Sequence, residues 1–313
     1  MEEINLMVYL LTGGTGSFGH RFTEHALKER QLRKLIILSR DEFKVYKMRQ
    51  EFPDDRMRFF IGDIRDLERL RQVMEGVDVV VHAAAMKQIP ACEESPYEAV
   101  KTNILGTQNV CQAALDNHVS QVVSLSTDKA VSPVNLYGTT KLAGEKIVIG
   151  SNVYAQGRKQ SFSVVRYGNV AGSRGSVIPR FRELGAPLPI TDKRMTRFWM
   201  TLDDAVDLVF KAIDSMVGGE VFIPKMKSFR IVDLAAALDK TWEEVGIRGG
   251  EKLHESMWTE SDLVYDYLGG FQVHPRTDWF RKAPGFLPIV SPYCSETADM
   301  LSVDDLRERL KSV

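Results

Sequence analysis

Only three cysteines occur in the 313 residues, Cys92, Cys111 and Cys294, an odd and widely spaced set. Neither a disulfide framework nor metal-ligand spacing fits it, so reduced thiols in a cytoplasmic protein without a metal centre are expected. The chain lacks any apolar run approaching the roughly 20 residues of a membrane span. Its first residues, Met1-Glu-Glu-Ile4, are acidic and lead into an apolar stretch, which is not how a secretory leader begins. An excess of one charge is missing too. The formal net charge of −1 gives no reason to expect nucleic acid or an anionic membrane as partner. Repeats, low-complexity tracts and flexible linkers are absent. What remains is an ordinary globular composition, 44% hydrophobic and 27% charged, in a chain long enough for one large or two modest domains.

Leu6–Leu11 is an apolar run of strand length, followed at once by Thr12-Gly-Gly-Thr-Gly-Ser-Phe-Gly19 and a helical segment over 22–28. Strand, glycine-rich turn and helix form the arrangement a dinucleotide pyrophosphate needs. Glycines allow the tight turn and close backbone approach, and the helix N-terminus offers free N–H groups to the anion. Gly14, Gly16 and Gly19 fit one spacing of the fingerprint, and Gly13, Gly16 and Gly19 fit another. Further strands are expected at 35–39, 57–62, 77–83, 121–126, 161–166 and 220–224. Helices are expected at 42–51, 67–74, 97–117, 136–154, 203–216 and 231–238. Alternating strands and helices imply an α/β fold, a Rossmann-type doubly wound parallel sheet. Residues 1–166, completed by 203–224, form its core; 167–202 and 225–313 form a smaller C-terminal substrate-binding lobe. Ligands of such sheets bind at the carboxyl ends of the strands. Ser39-Arg40, Gly62-Asp63, His82-Ala83 and Ser126-Thr127 are all ends of that kind.

Tyr137 and Lys141 are four residues apart, on one face of a helix. A free tyrosine is a poor base at neutral pH. A neighbouring ammonium and an oxidised nicotinamide would favour its phenolate. A half-exposed tyrosine beside a solvated lysine is the plain alternative. For the cofactor, Arg40 at the second strand end, with Lys44 and Lys47 close by, suits the phosphate of NADP. Asp41 and Glu42 point the other way, to the ribose of NAD, or simply occupy the first turn of the next helix. NADP is the expectation, with NAD less favoured.

These features together resemble an extended short-chain dehydrogenase/reductase. More narrowly, Ser39-Arg-Asp-Glu42, Ala91–Val110, Ser124–Lys146, Val165–Ser176, Ile190–Trp199 and Gly246–Glu255 resemble the inverting UDP-N-acetylglucosamine 4,6-dehydratases of the pseudaminic acid type. The resemblance covers roughly residues 7–256, and little is matched beyond 260. It implies cofactor contacts at Gly13, Thr15, Gly16, Ser17, Phe18, Gly19, Ser39, Arg40, Asp41, Lys44, Asp63, Ile64, Ala83, Ala84 and Lys87, besides Tyr137 and Lys141. Substrate contacts are implied at Lys87, Thr127, Asn169, Arg174, Arg197 and Glu251, with Arg197 as the diphosphate ligand and Glu251 at the uridine ribose. Asn103 reads equally as a structural or a catalytic residue.

The resemblance assigns Tyr137 as base for the sugar C4 hydroxyl, Lys141 as its modulator and Thr127 as a hydrogen-bond partner of that hydroxyl. Retaining dehydratases carry Asp-Glu where this chain has Asp128-Lys129. Asp128 is then the acid for the C6 hydroxyl. Lys129 is the acid/base at C5, needing a pKa below its usual value of about 10.4. The plain alternative is an exposed loop pair. The substrate implied is UDP-N-acetylglucosamine and the assembly a homo-oligomer, dimer or hexamer. A UDP-sugar 4-epimerase and a non-catalytic NADP-binding regulator are the competing functions.

Overall fold

The computed structural model describes residues 6–277, 279–280, 289 and 291–313. Seven parallel strands are built from the expected apolar runs. They are β1 (Met7–Thr12), β2 (Leu32–Ser39), β3 (Met57–Ile61), β4 (Val79–His82), β5 (Gln121–Thr127), β6 (Ser161–Tyr167) and β7 (Val221–Pro224). Helices cover both faces of the sheet, so Leu10, Leu35, Val79, Val80, Val81, Val122 and Val164 are fully buried. Double-sided burial is why these runs are continuously apolar rather than alternating. Helices Ser17–Glu29 and Leu202–Ser215 pack on one another over one face; Leu67–Val73, Gly106–Asp116 and Leu136–Tyr154 form a second packed layer.

Two more strands extend the sheet, β8 (Leu263–Tyr267) and β9 (Gly270–His274), giving the order β8-β9-β7-β6-β5-β4-β1-β2-β3. Sequence reading assigned this stretch to the second lobe, yet β9 pairs antiparallel with β7. The hairpin turns on Leu268 and Gly269, at φ 46° and 78°. Leu-Gly is not one of the usual turn signals for positive φ at both positions, which hid the hairpin. The stretch expected as one helix over 97–117 is interrupted. A π-helical segment, Val100–Leu105, lies between Pro96–Ala99 and Gly106–Asp116. A second apolar cluster, including Ile178, Phe181, Leu188, Trp199, Phe229, Leu234 and Leu306, forms the core of the smaller lobe. No helix among the described residues is long and apolar enough to cross a membrane.

The strand order reverses beside β1, which pairs with both β2 and β4. A crevice opens at such a reversal, beyond the carboxyl ends of the strands. His82 ties it together: Nδ1 lies 2.8 Å from Thr12 Oγ1 and Nε2 lies 3.1 Å from Thr107 Oγ1. Burial, with Lys141 nearby, pushes the imidazole down to about 3. A free histidine titrates near 6.5, so the unfolded chain binds the extra proton between about pH 6.5 and 3 and the folded state does not. Stability contributed by neutral His82 is complete above that window and is lost as pH falls through it. In urea titrations at several pH values, wild-type unfolding free energy should fall more steeply than that of His82→Gln, by up to about 1.4 kcal/mol per pH unit. Parallel acid profiles would remove His82 from the account.

Candidate active site

The glycine turn after β1 presses against the end of β4. Gly13 has φ +69°, and a Cβ there would stand 2.7 Å from Ala84 Cα. The helix Ser17–Glu29 begins directly behind, with Gly16 at its N-cap and no side chain capping it. Its first N–H groups are therefore available to an anion, and the residues fit a dinucleotide pyrophosphate. Thr15 Oγ1 and Ser39 Oγ, 2.9 Å apart, join the turn to the end of β2.

A cleft of about 990 Å³ runs from this turn into the smaller lobe. Gly13, Thr15, Gly16, Ser17, Phe18, Gly19, Ser39, Arg40, Lys44, Asp63, Ile64, Ala83, Ala84 and Lys87 all line it. Asp41 does not. Its carboxylate caps the helix Glu42–Glu51 by accepting from the Lys44 N–H at 3.0 Å, and it pairs with Lys44 Nζ at 2.7 Å. Asp41 is thus the N-cap of that helix, one position before its first turn, which Glu42 occupies. Arg40 is 62% exposed at its side chain, and its nearest carboxylate, Asp63, is 3.9 Å away and already paired with Arg65 at 2.7 Å.

The acid/base residues lie deeper. Asp128–Ala130 makes a short 3-10 turn after β5, and helix Leu136–Tyr154 packs its first turn on it. The approach is close: a Cβ on Gly138 would be 2.1 Å from the Lys129 carbonyl oxygen. Asn135 caps this helix by accepting from the Gly138 N–H at 2.8 Å, and its amide donates to the Gly250 carbonyl of the smaller lobe. Tyr137 and Lys141 thus both face the cleft wall. Their coupling differs from the expectation. Desolvation pushes the Tyr137 hydroxyl up to about 12, and the main cation opposing that rise is Lys129. Lys141 instead donates to the Leu125 carbonyl at 2.7 Å, and burial pulls it down to about 8 against the attraction of Glu145.

Lys129 sits in a cage of acceptors. Its Nζ is 3.0 Å from Asp128 Oδ1, 2.9 Å from Asn169 Oδ1 and 3.4 Å from Glu255 Oε1. Burial alone would lower its pKa, but Asp128 and Glu255 outweigh burial and raise it. The lowered value expected from sequence is therefore corrected: two carboxylates hold this ammonium charged. Asp128 is completely buried; Oδ1 accepts from Thr127 Oγ1 at 3.0 Å and from Lys129, while Oδ2 has no hydrogen-bond partner among the described residues. Thr127 and Lys129 reach the cleft surface, and Asp128 lies just behind them.

Beneath this site Glu145 and Arg166 form a buried ion pair, with Arg166 Nε 3.0 Å from Glu145 Oε1 and Ser126 Oγ donating to the same oxygen at 2.5 Å. Asn103 is held by three hydrogen bonds. Its amide accepts from Met86 N–H at 2.8 Å and donates to the Met86 carbonyl and to Thr140 Oγ1. Lys87, the next residue, reaches across to the Arg174 carbonyl at 3.0 Å.

On the lobe side, Asn169, Arg174, Arg197 and Glu251 line the cleft. Arg197 differs from an open anion ligand: it donates to the carbonyls of Thr196, Leu253 and Lys252 at 2.7, 3.0 and 3.0 Å. Its hydrogen bonds hold the 252–255 segment. Arg174 and Arg180 line the cleft without a carboxylate partner among the described residues, and Arg248 pairs with Glu251. Sequence reading missed Arg180, Arg248, Lys252 and Glu255 as cleft residues. The last three stood inside the stretch 246–255 that it had already singled out.

A family model described as "Polysaccharide biosynthesis protein" matches residues 9–268. The chain belongs to that family. An inverting UDP-N-acetylglucosamine 4,6-dehydratase of Campylobacter jejuni is 50% identical over 274 residues, 85% of this chain and 82% of the relative. A protein named UDP-glucose 4-epimerase from Rickettsia akari is 38% identical, covering 96% and 94%. Among solved structures, Pen from Bacillus thuringiensis superposes with a TM-score of 0.90 at 34% identity, over 98% of this chain and 97% of that one. A dTDP-glucose 4,6-dehydratase from Streptomyces venezuelae, solved with NAD bound, superposes at 0.69 and 23% identity over 79% and 87%, a likeness of fold.

The Glu145–Arg166 pair yields a stability prediction for this family member. Arg166→Met leaves a buried carboxylate uncompensated and should cost roughly 3–5 kcal/mol in urea unfolding. Glu145→Leu combined with Arg166→Met should recover much of that loss. A single variant as stable as wild type would mean that the pair does not carry the floor of the site.

Proposed function

We propose that this protein is a UDP-N-acetylglucosamine 4,6-dehydratase that inverts C5, yielding the L-arabino 4-keto-6-deoxy sugar nucleotide. The observation that carries the reading is Asp128-Lys129 at the cleft beside Tyr137, in a chain half identical to inverting dehydratases. An epimerase needs no acid/base pair for elimination across C5 and C6, so the pair favours dehydration.

A nicotinamide cofactor held by the glycine turn and Arg40 would supply the hydride acceptor for C4 and the hydride donor for C6, with no net oxidation. Tyr137 accepts the C4 hydroxyl proton once its own phenol proton has passed to solvent, a loss that the Lys129 ammonium favours, and Thr127 hydrogen-bonds the same oxygen. A ketone at C4 acidifies the C5 proton, which Lys129 removes while Asp128 gives a proton to the departing C6 hydroxyl. At rest neither group is in the required form, because an ammonium has no lone pair and a carboxylate has no proton. Moving one proton across the 3.0 Å contact from Lys129 Nζ to Asp128 Oδ1 makes both forms at once. Arg174, Arg180 and Arg248 supply the positive field for a nucleoside diphosphate. The reading includes a cytoplasmic homo-oligomer, dimer or hexamer, in keeping with exposed Tyr97 and Tyr154 on two of the covering helices.

NADP is the cofactor we infer, on the exposed guanidinium of Arg40 and the withdrawal of Asp41 into a helix cap. Arg40→Ala should weaken NADP binding at least tenfold more than NAD binding in calorimetry, because only NADP offers a phosphate there. Equal weakening would reduce Arg40 to a stacking or loop-supporting residue.

Mass spectrometry of UDP-N-acetylglucosamine incubated with the protein tests the function. Loss of water is expected; an unchanged mass with an altered sugar would indicate the epimerase, and no turnover a binding protein. Lys129→Ala should stall dehydration, with reduced nicotinamide accumulating more slowly than wild-type C4 oxidation would give, since Lys129 is also the main cation opposing the rise in the Tyr137 pKa. Tyr137→Phe should abolish both signals. Dehydration by Lys129→Ala at the wild-type rate would remove Lys129 from the C5 step.

A further inference from the structure

Glu255 is 2% exposed, yet three cations converge on its carboxylate. Oε1 lies 3.4 Å from Lys129 Nζ and 3.9 Å from Arg197 Nε, and Oε2 lies 3.8 Å from Lys252 Nζ. Among the described residues Oε2 has no hydrogen-bond partner. The carboxylate therefore acts on its neighbours mainly by charge, at distances where a buried opposite charge still shifts protonation strongly. Its backbone is fixed from the smaller lobe: the Glu255 N–H donates to Ser295 Oγ at 2.9 Å, and the Ser295 N–H donates to the Glu255 carbonyl at 2.8 Å. Thr196 Oγ1 meets Ser295 Oγ at 2.7 Å, locking that serine in turn.

We propose that Glu255 is a positioning residue that keeps Lys129 in its ammonium form, and so sets how readily the Asp128–Lys129 pair exchanges its proton. The groups facing Lys129 leave Glu255 this part. Asp128, on the same turn, is the carboxylate that must itself become protonated during elimination, so its charge is not constant. Asn169 is uncharged, Tyr137 carries its proton at rest, and Arg197 and Lys252 are cations that oppose the ammonium. Glu255 is neither donor nor acceptor in that exchange; its carboxylate stands 3.4 Å from Lys129 Nζ, outside the Asp128 contact. In the exchange one N–H bond of Lys129 breaks and one O–H bond of Asp128 forms, with no change in total charge. Taking away the Glu255 charge makes the ammonium less favourable and the neutral amine more so. The catalytic meaning of this control rests on the dehydratase reading; the charge control itself needs no substrate.

NMR of the intact, substrate-free protein labelled with 13C and 15N at lysine tests it, with the Lys129 resonance assigned by its loss in Lys129→Gln. Lys129 should stay an ammonium to a higher pH in wild type than in Glu255→Gln, by at least about one pH unit. Glu255→Asp keeps the charge but withdraws it by one methylene, so its shift should be smaller and in the same direction. That variant also carries the test if Glu255→Gln fails to fold. Solvent deuterium uptake at C5 should move to lower pH by the same interval, with kcat changed more than the KM for UDP-N-acetylglucosamine. Titration of Lys129 at the wild-type pH in the folded variants would overturn the inference. A shifted titration in a protein that dehydrates nothing would leave the inference standing and sink the dehydratase reading instead.

Discussion

A lysine charge largely buried in the cleft wall, its side chain 19% exposed, is the constraint around which this cleft is arranged. Burial opposes the Lys129 ammonium, and a lone buried cation would simply lose its proton. Asp128, Asn169 and Glu255 reverse that outcome by surrounding the amine with acceptors. They come from three places: the turn after β5, the loop after β6 and the smaller lobe. The charge at Lys129 therefore depends on both lobes being in contact. Arg197 contributes indirectly, since its hydrogen bonds to backbone carbonyls hold the 252–255 segment that carries Glu255.

The same logic of paired burial extends below the cleft. Glu145 and Arg166 neutralise one another in the floor, and Glu145 also attracts Lys141, tempering the fall in that lysine's pKa. His82 remains neutral between two threonines at the sheet's reversal point. On the proposed reading acid and base work falls to Tyr137, Asp128 and Lys129, with neutral His82 beside them taking no part. Two geometries keep these residues together: the tight Gly13 turn against Ala84, and the Gly138 contact with Lys129.

Much of this was legible in the sequence because periodicity and close packing leave marks there. The seven parallel strands appear as apolar runs, and the helix Glu42–Glu51 has its expected bounds. Turn chemistry was less informative: Leu268-Gly269 carries no strong hairpin signal, so β8 and β9 went unseen. The motif residues converge on one cleft, since strand ends of a parallel sheet share an edge. Their charge states could not be read from spacing. Tyr137 and Lys141 are four residues apart, yet the cation that bears on Tyr137 is Lys129, and Asp41 serves a helix cap. Glu255 is 126 positions from Lys129 in the chain, and only folding brings the two within 3.4 Å.

On the dehydratase reading, Lys129 handles a proton at C5 within an inverting site. NMR of the product formed from UDP-N-acetylglucosamine in D2O, taken within the first turnovers, addresses it most directly. The account predicts a 4-keto-6-deoxy sugar of L-arabino configuration, with solvent deuterium at C5 and the C4 hydride transferred to C6 without exchange. A product that keeps the D-configuration from the first turnover, or that carries no deuterium at C5, would contradict it.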